Sequence, residues 1–347
     1  MKLKKTSRNN LITYGVVILA YGILQLMSNA GSISATLRGM LVPICAYVVM
    51  AVSLNLTVGV LGELSLGHAG FMSVGAFMGV TAAICLQNVI ASDPLRLAVA
   101  LLVGALFAGI VGFLVGIPVL RLNGDYLAIV TLAFGEIIKS VFNNLYLGLD
   151  ARGLHLSLLE DRTNLGEGGR LIIAGPMGIG SIPKIASFTA GFILILVCLT
   201  VIFHLVGSRQ GRAIMAIRDN RIAAESVGLS VTHYKMTAFV ISAAMAGAAG
   251  ALFALNYSTV VANKFDFNTS ILVLVFVVFG GLGNMLGSLV AAAALTILPE
   301  ALRSFANYRM LIYAIVLILV MLATNNPTFK ALVQRIIPRR KEERRDG

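Results

Sequence analysis

The stretch AIRDNRIAAESVGLSVTHYK (residues 216–235) interrupts a chain that otherwise reads as soluble in lipid. It carries Arg218, Asp219, Arg221, Glu225, His233 and Lys235, and apolar runs flank it on both sides. Whether it crosses a bilayer decides the fold. A charged side chain near the middle of a membrane helix costs about 2.5–3.5 kcal/mol. For Arg212, Arg218, Asp219, Arg221, Glu225 and Lys235 together the cost is roughly 15–20 kcal/mol, more than the intervening alanines and isoleucines offset. The stretch therefore lies outside the membrane.

The rest of the chain points the other way. Of its 347 residues 12% are charged and 58% hydrophobic, where soluble globular proteins carry roughly 25% charge. With a mean hydropathy of +0.91, this is the composition of a polytopic membrane protein. Apolar runs long enough to span occur at about 11–28, 40–58, 70–90, 97–118, 126–143, 187–206, 236–256, 268–282, 285–300 and 310–324. Ten spans place both ends on one side. Basic residues crowd both ends and the region Arg209–Arg221, so that side is predicted to be cytoplasmic. The expected fold is an all-α integral membrane protein of about ten transmembrane helices, N-in and C-in, forming one membrane domain over 1–347. Residues 207–235 are then a cytoplasmic loop and 325–347 a basic cytoplasmic tail. The glycine-rich segment 144–185 is expected to be an ordered outer loop with a short helix or two, either a docking surface for an extracytoplasmic partner or a connector.

Other readings of the charge and the termini fall away. A net charge of +12 invites a nucleic-acid partner, but the cations sit beside apolar spans, where positive-inside bias puts them, so lipid and not nucleic acid is the expected surroundings. Cys45, Cys85 and Cys198 lie in separate apolar runs without metal or disulfide spacing. The basic start, the run Leu11–Met27 and Ser28-Asn29-Ala30 imitate a signal peptide. That run is longer than a usual signal core and reads as a retained first span.

Outside the membrane, residues 216–235 still have helix punctuation. Asp219 or Asn220 can accept the exposed N–H groups of a helix start, and Gly228 can take the left-handed conformation that ends one. Arg221 and Glu225 fall at i and i+4. Ala224 and Val227 lie on a neighbouring face, where small side chains suit insertion into a groove of another protein.

The segment resembles the coupling loop of ABC-importer permeases, whose pattern is Glu-Ala-Ala, three residues, then Gly. Ala223, Ala224 and Gly228 match; Ile222 stands where the glutamate would be, and the acid is at Glu225. The longer segment AIRDNRIAAESVGLSVTHYKMTAFVISAAMAGAAGALFA (216–254) resembles the M-type branched-chain amino-acid permeases. So, in the same order along the chain, do GELSLGHAGFMSVGAFMG (62–79), RLNGDYLAIVTLAFGEIIK (121–139), GPMGI (175–179) and GGLGNMLGSLVAAA (280–293). The resemblance runs from about residue 40 onward. It implies an importer of the bacterial inner membrane made of two related but different permease subunits, two cytoplasmic ATPases and an extracytoplasmic solute-binding protein. On this reading Arg218, Asp219, Arg221, Ala223, Ala224, Glu225 and Gly228 couple the chain to an ATPase. No lysine follows a glycine, so the chain has no phosphate-cradling P-loop. ATP and Mg are then used by a partner subunit, and this chain binds no cofactor and is no enzyme.

Residues that could line a solute path are fewer. Glu136 and Lys139 share a face of the fifth span at i and i+3 and either neutralise each other or meet solute. Thr131 lies on a nearby turn, and Asn55 near the end of the second span. Glu63 and His68 stand among Gly59, Gly62, Gly67 and Gly70, a pattern for a broken helix at a midplane site or for a tight turn. One histidine and one glutamate fall short of a metal site. GGLGNMLG fails as a nucleotide loop because Leu286 occupies the third glycine position. Gly283 with Gly287, and Gly247 with Ala251, instead have the spacing of closely packed membrane helices. Three functions stay open: the ABC permease for leucine, isoleucine and valine; the same machine carrying urea, short amides or another amino acid; and an ATP-independent carrier or channel. A membrane enzyme lacks any nucleophile–base pair or paired carboxylates.

Overall fold

A computed structural model describes residues 5–31, 34–122, 124–150, 153–158 and 169–302, with a few positions between 311 and 318. The chain divides into a first compact unit ending at Ala293 and a second beginning at Ala294, whose described part starts with the remainder of α11. The expected tenth span at 310–324 and the basic tail lie outside the described residues, apart from scattered positions in the former.

The apolar runs become helices close to where they were expected. They are α1 (Lys5–Asn29), α2 (Ala35–Asn55), α3 (His68–Cys85), α4 (Asp93–Val119), α5 (Asp125–Asn143) and α6 (Phe188–Gly207). After α6 come two helices of the polar segment, α7 (Arg209–Asp219) and α8 (Arg221–Ser226), then α9 (Val231–Ala254), α10 (Phe267–Gly280) and α11 (Met285–Ala301). A π-helical turn, Leu56–Leu61, prolongs α2. Among the described residues, seven helical segments are long and apolar enough to cross a membrane: α1, α2 with its π turn, α3, α4, α6, α9 and α10 with the short turn before it. This is an all-α membrane protein.

Helix α9 is at the centre, against α2, α3 and α4. Small residues set this arrangement. A Cβ on Gly75 of α3 would overlap the carbonyl of Gly247 in α9, and one on Gly250 would overlap the carbonyl of Met72. On Gly104 of α4 it would come within 2.9 Å of the Gly75 oxygen. With no hydrophobic drive between helices in lipid, close backbone approach supplies the van der Waals contact that holds them. The spacing of Gly247 and Ala251 thus does what it promised. Gly283 and Gly287 also make close approaches, though not on one helix face: Gly283, in the turn before α11, lies against Gly59 of the π turn, and Gly287 lies against the Gly280 carbonyl.

Other faces stay bare. Leu102, Leu106, Phe113 and Leu114 of α4 and Leu11, Leu19 and Leu26 of α1 are exposed, as lipid-facing residues must be. Helix α1 is fastened to α6 by Tyr14 bonded to Thr200 (3.0 Å), Tyr21 bonded to Thr189 (3.2 Å) and the Tyr21 ring stacked on Phe192.

Between α5 and α6 the chain forms no α-helix among its described residues. It folds an antiparallel sheet of β1 (Leu145–Asp150), β2 (Gly153–Leu158) and β3 (Arg170–Ala174) in the order β2-β1-β3, followed by the single 3-10 turn Gly175–Met177. The alternation in LYLGLD and GLHLSL is a strand pattern. Where a short helix or two was expected, the described residues hold strands and this one 3-10 turn.

Candidate coupling site

The polar segment is built by its own punctuation. Ser208 opens α7 by accepting the Gly211 N–H at 3.1 Å. Asn220 ends α7 and begins α8, its Oδ1 accepting the Ala223 N–H at 3.0 Å. Of the two cap candidates it is therefore Asn220, not Asp219, that caps. Gly228 closes α8 with φ of +85°. The Gly228 N–H bonds the Glu225 carbonyl and the Leu229 N–H the Ala224 carbonyl, at 3.0 and 3.1 Å, the paired bonds of a Schellman end. Arg221 Nε donates to Glu225 Oε1 at 3.0 Å, as the spacing predicts.

A helix of two turns has too few hydrogen bonds to stand alone in water. Ala224 supplies the missing anchor: it is buried against Ile217 of α7 and Val231 of α9, with Leu229 and Tyr234 beside them. This corrects the expectation that Ala224 faces a partner's groove. The apolar side chains turned outward are Val227, 76% exposed, and Ile222, 80% exposed. Ile222 occupies the position where the resemblance expects a glutamate. Ala223 and Glu225 are also exposed.

Arg218 does not simply reach outward. Its Nε and Nη2 donate to Asp219 Oδ1 at 3.2 and 3.0 Å, and its Nη1 donates to the Gly59 carbonyl at 2.9 Å. Asp219 thereby orients Arg218 onto the end of α2.

The path candidates also find partners inside the bundle. Asn55 is fully buried; its Nδ2 donates to Ser288 Oγ at 2.9 Å and its Oδ1 accepts the Gly283 N–H at 2.8 Å. Glu63 forms an ion pair with Lys235, both largely buried. His68 Nε2 lies 2.8 Å from Ser53 Oγ, not at a backbone carbonyl. Ser53 Oγ also lies within hydrogen-bond reach of the Met50 carbonyl, at 2.9 Å. Thr131 Oγ1 accepts the Leu66 N–H at 3.1 Å and donates to the Ala128 carbonyl. Glu136 and Lys139 pair with each other. Glu136 faces a narrow cleft shared with Gly67, Gly70, Asp266 and Ser270. The structure thus gathers Asn55, Glu63, His68 and Thr131 around the turn between α2 and α3 and leaves Glu136 and Lys139 on α5. Residues that sequence reading passed over are Lys235 and Ser288, which complete these contacts from across the chain. Among the described residues no cluster of three metal-ligating side chains occurs.

A bundle of apolar helices with a small sheet between α5 and α6 and a structured polar segment at α7–α8 is the build of a multi-pass membrane protein, and the comparisons place it. The chain belongs to the branched-chain amino acid transport system / permease component family, whose model matches residues 36–321. It is 37% identical over 286 residues to the high-affinity branched-chain amino acid transport system permease protein LivM of Salmonella typhimurium, and likewise to that of Escherichia coli. Each match covers 80% of this chain and 66% of the relative, so the chain spans just under two thirds of these relatives' length. It is 28% identical over 248 residues to the fructose import permease protein FruG of Bifidobacterium longum, with 67% of each chain covered. No solved structure matches the chain at a significant level. The protein is a multi-pass component of the bacterial inner membrane.

Proposed function

We propose that the chain is a transmembrane permease subunit of an ATP-driven importer for leucine, isoleucine and valine. The observation that carries this reading is the α7–α8 segment. It is capped at both ends, anchored by Ala224 and tipped by exposed Ile222 and Val227, and so offers a rigid apolar knob where a cytoplasmic ATPase would seat it. Two ATPase subunits using ATP and Mg, a second related permease and an extracytoplasmic binding protein complete the assembly, and this chain hydrolyses nothing itself. Ten spans with both ends in the cytoplasm remain the topology that fits the charges.

The test is a mild-detergent pull-down of the tagged chain from its native membrane, followed by transport in vesicles. Recovery of a P-loop ATPase and a related permease, with leucine uptake that requires ATP, is the expected result. Solute movement by the chain alone without ATP would overturn it in favour of a carrier. Similarity to a permease named for fructose import favours a second reading in which the machine is the same and the cargo differs. Competition of leucine uptake by isoleucine and valine, and not by fructose or urea, separates the two.

A further inference from the structure

Two cations bracket the α8 knob, Arg218 in the last turn of α7 and Lys235 near the start of α9, and both reach the same five residues. Arg218 Nη1 holds the carbonyl of Gly59, 159 positions away in sequence. Lys235 holds the carboxylate of Glu63, 172 positions away. Between these two points Gly62 has φ of +82°, and a Cβ there would come 2.5 Å from Arg218 Cγ. The arginine stem therefore lies flat across a turn that only glycine permits. The grip falls where the α-helical ladder of α2 gives way, because Gly59 belongs to the π-helical turn Leu56–Leu61.

What is gripped is itself tied to the rest of the bundle. Asn55 binds Gly283 and Ser288 at the α10–α11 turn, Leu66 N–H binds Thr131 on α5, and Ala69 N–H binds Ser270 Oγ on α10 at 3.1 Å. Gly67 and Gly70 line a crevice, too tight to admit water, beside Glu136 and Asp266. Helix α8 packs through Ala224 on Ile217 of α7 and Val231 of α9, and from those same two helices Arg218 and Lys235 reach the turn between α2 and α3.

We propose that Arg218 and the Lys235–Glu63 pair are positioning residues of the transport step, delivering displacement of α8 to the Gly59–Gly67 turn and through it to α3, α5 and α10. This rests on the importer reading above, and assigns Arg218 inward to the permease and not outward to the ATPase.

The measurement is solute moved per ATP hydrolysed, in vesicles holding the complete transporter. Arg218 is partly exposed, so Arg218→Gln should fold. The paired change Glu63→Leu with Lys235→Met removes both buried charges together, which proteins often tolerate, whereas removing one leaves the other uncompensated. Each variant should still bring down the ATPase, while solute per ATP falls about tenfold, within the range by which residues along a coupling route alter it. The reversed pair Glu63→Lys with Lys235→Glu should return the ratio to within about threefold of the natural chain. A merely structural role would lower the thermal midpoint and leave the ratio unmoved. An unchanged ratio in Arg218→Gln and in the paired variant overturns the proposal. So does loss of the ATPase from the Arg218→Gln pull-down, which would make Arg218 a docking residue. If the paired variant does not accumulate, Arg218→Gln alone decides. Failure of the natural chain to capture any ATPase would sink the importer reading instead, and is read separately.

Discussion

In the α3–α4–α9 block, contacts run from backbone to backbone. Gly75, Gly104, Gly247 and Gly250 bring helices together so closely that a single methyl group would not fit at most of these positions. In the α7–α8 segment the links are side-chain atoms meeting the ends of short helices: Ser208, Asn220, Arg221 with Glu225, and one buried alanine. The first region is stabilised over a broad surface in lipid. The second is held by a handful of separate bonds in water. A substitution should therefore be catastrophic in one and graded in the other.

Gly75→Leu is the strongest challenge. The new side chain meets the Gly247 backbone, which has no rotamer to yield, and the loss should exceed about 3 kcal/mol, the upper end of ordinary overpacking. Little protein should reach the membrane, and a normally folded Gly75→Leu chain would dissolve the contrast. Asn55→Leu comes next, at about 2–3 kcal/mol, because it strands the Gly283 N–H and leaves Ser288 without its partner. Thermal unfolding in detergent reads that cost, and an unaltered midpoint would mean the buried amide is not structural. Gly228→Ala should cost about 1–2 kcal/mol through its left-handed backbone alone, since the space around it is open. Hydrogen exchange should rise in 221–229 while the global midpoint barely moves. Glu225→Gln is the mildest. Its pair with Arg221 is about half exposed, and about 0.3–0.5 kcal/mol is expected, visible only as slightly faster exchange in α8.

Sequence and structure agree where the physics is local. The cap choice at Asn220 or Asp219, the ending at Gly228 and the pair Arg221–Glu225 each depend on residues at most five apart, and the nine apolar runs that fall within the described residues became helices. Disagreement begins where a partner is distant. Glu63 and Asn55 looked like open polar groups on a path because Lys235 lies 172 positions from the first, and Ser288 233 positions from the second. Nothing in the local pattern announces such pairings. Ala224 was legible as a small residue on a helix face, but which face turns inward depends on where α7 and α9 cross it. The sheet between α5 and α6 follows the alternation in LYLGLD and GLHLSL, a period the sequence reading left unused.

The glycine-lined block has a mechanical meaning. Where side chains interlock, helices slide by exchanging rotamers. Between Gly75 and Gly247 there are no rotamers to exchange, and the only soft coordinate left is separation, which forfeits the contact altogether. Helices α3, α4 and α9 therefore resist being drawn apart and are expected to move as one block. If the chain is the permease proposed above, any change of shape that passes cargo falls on the joints around that block, among them the π-turned end of α2.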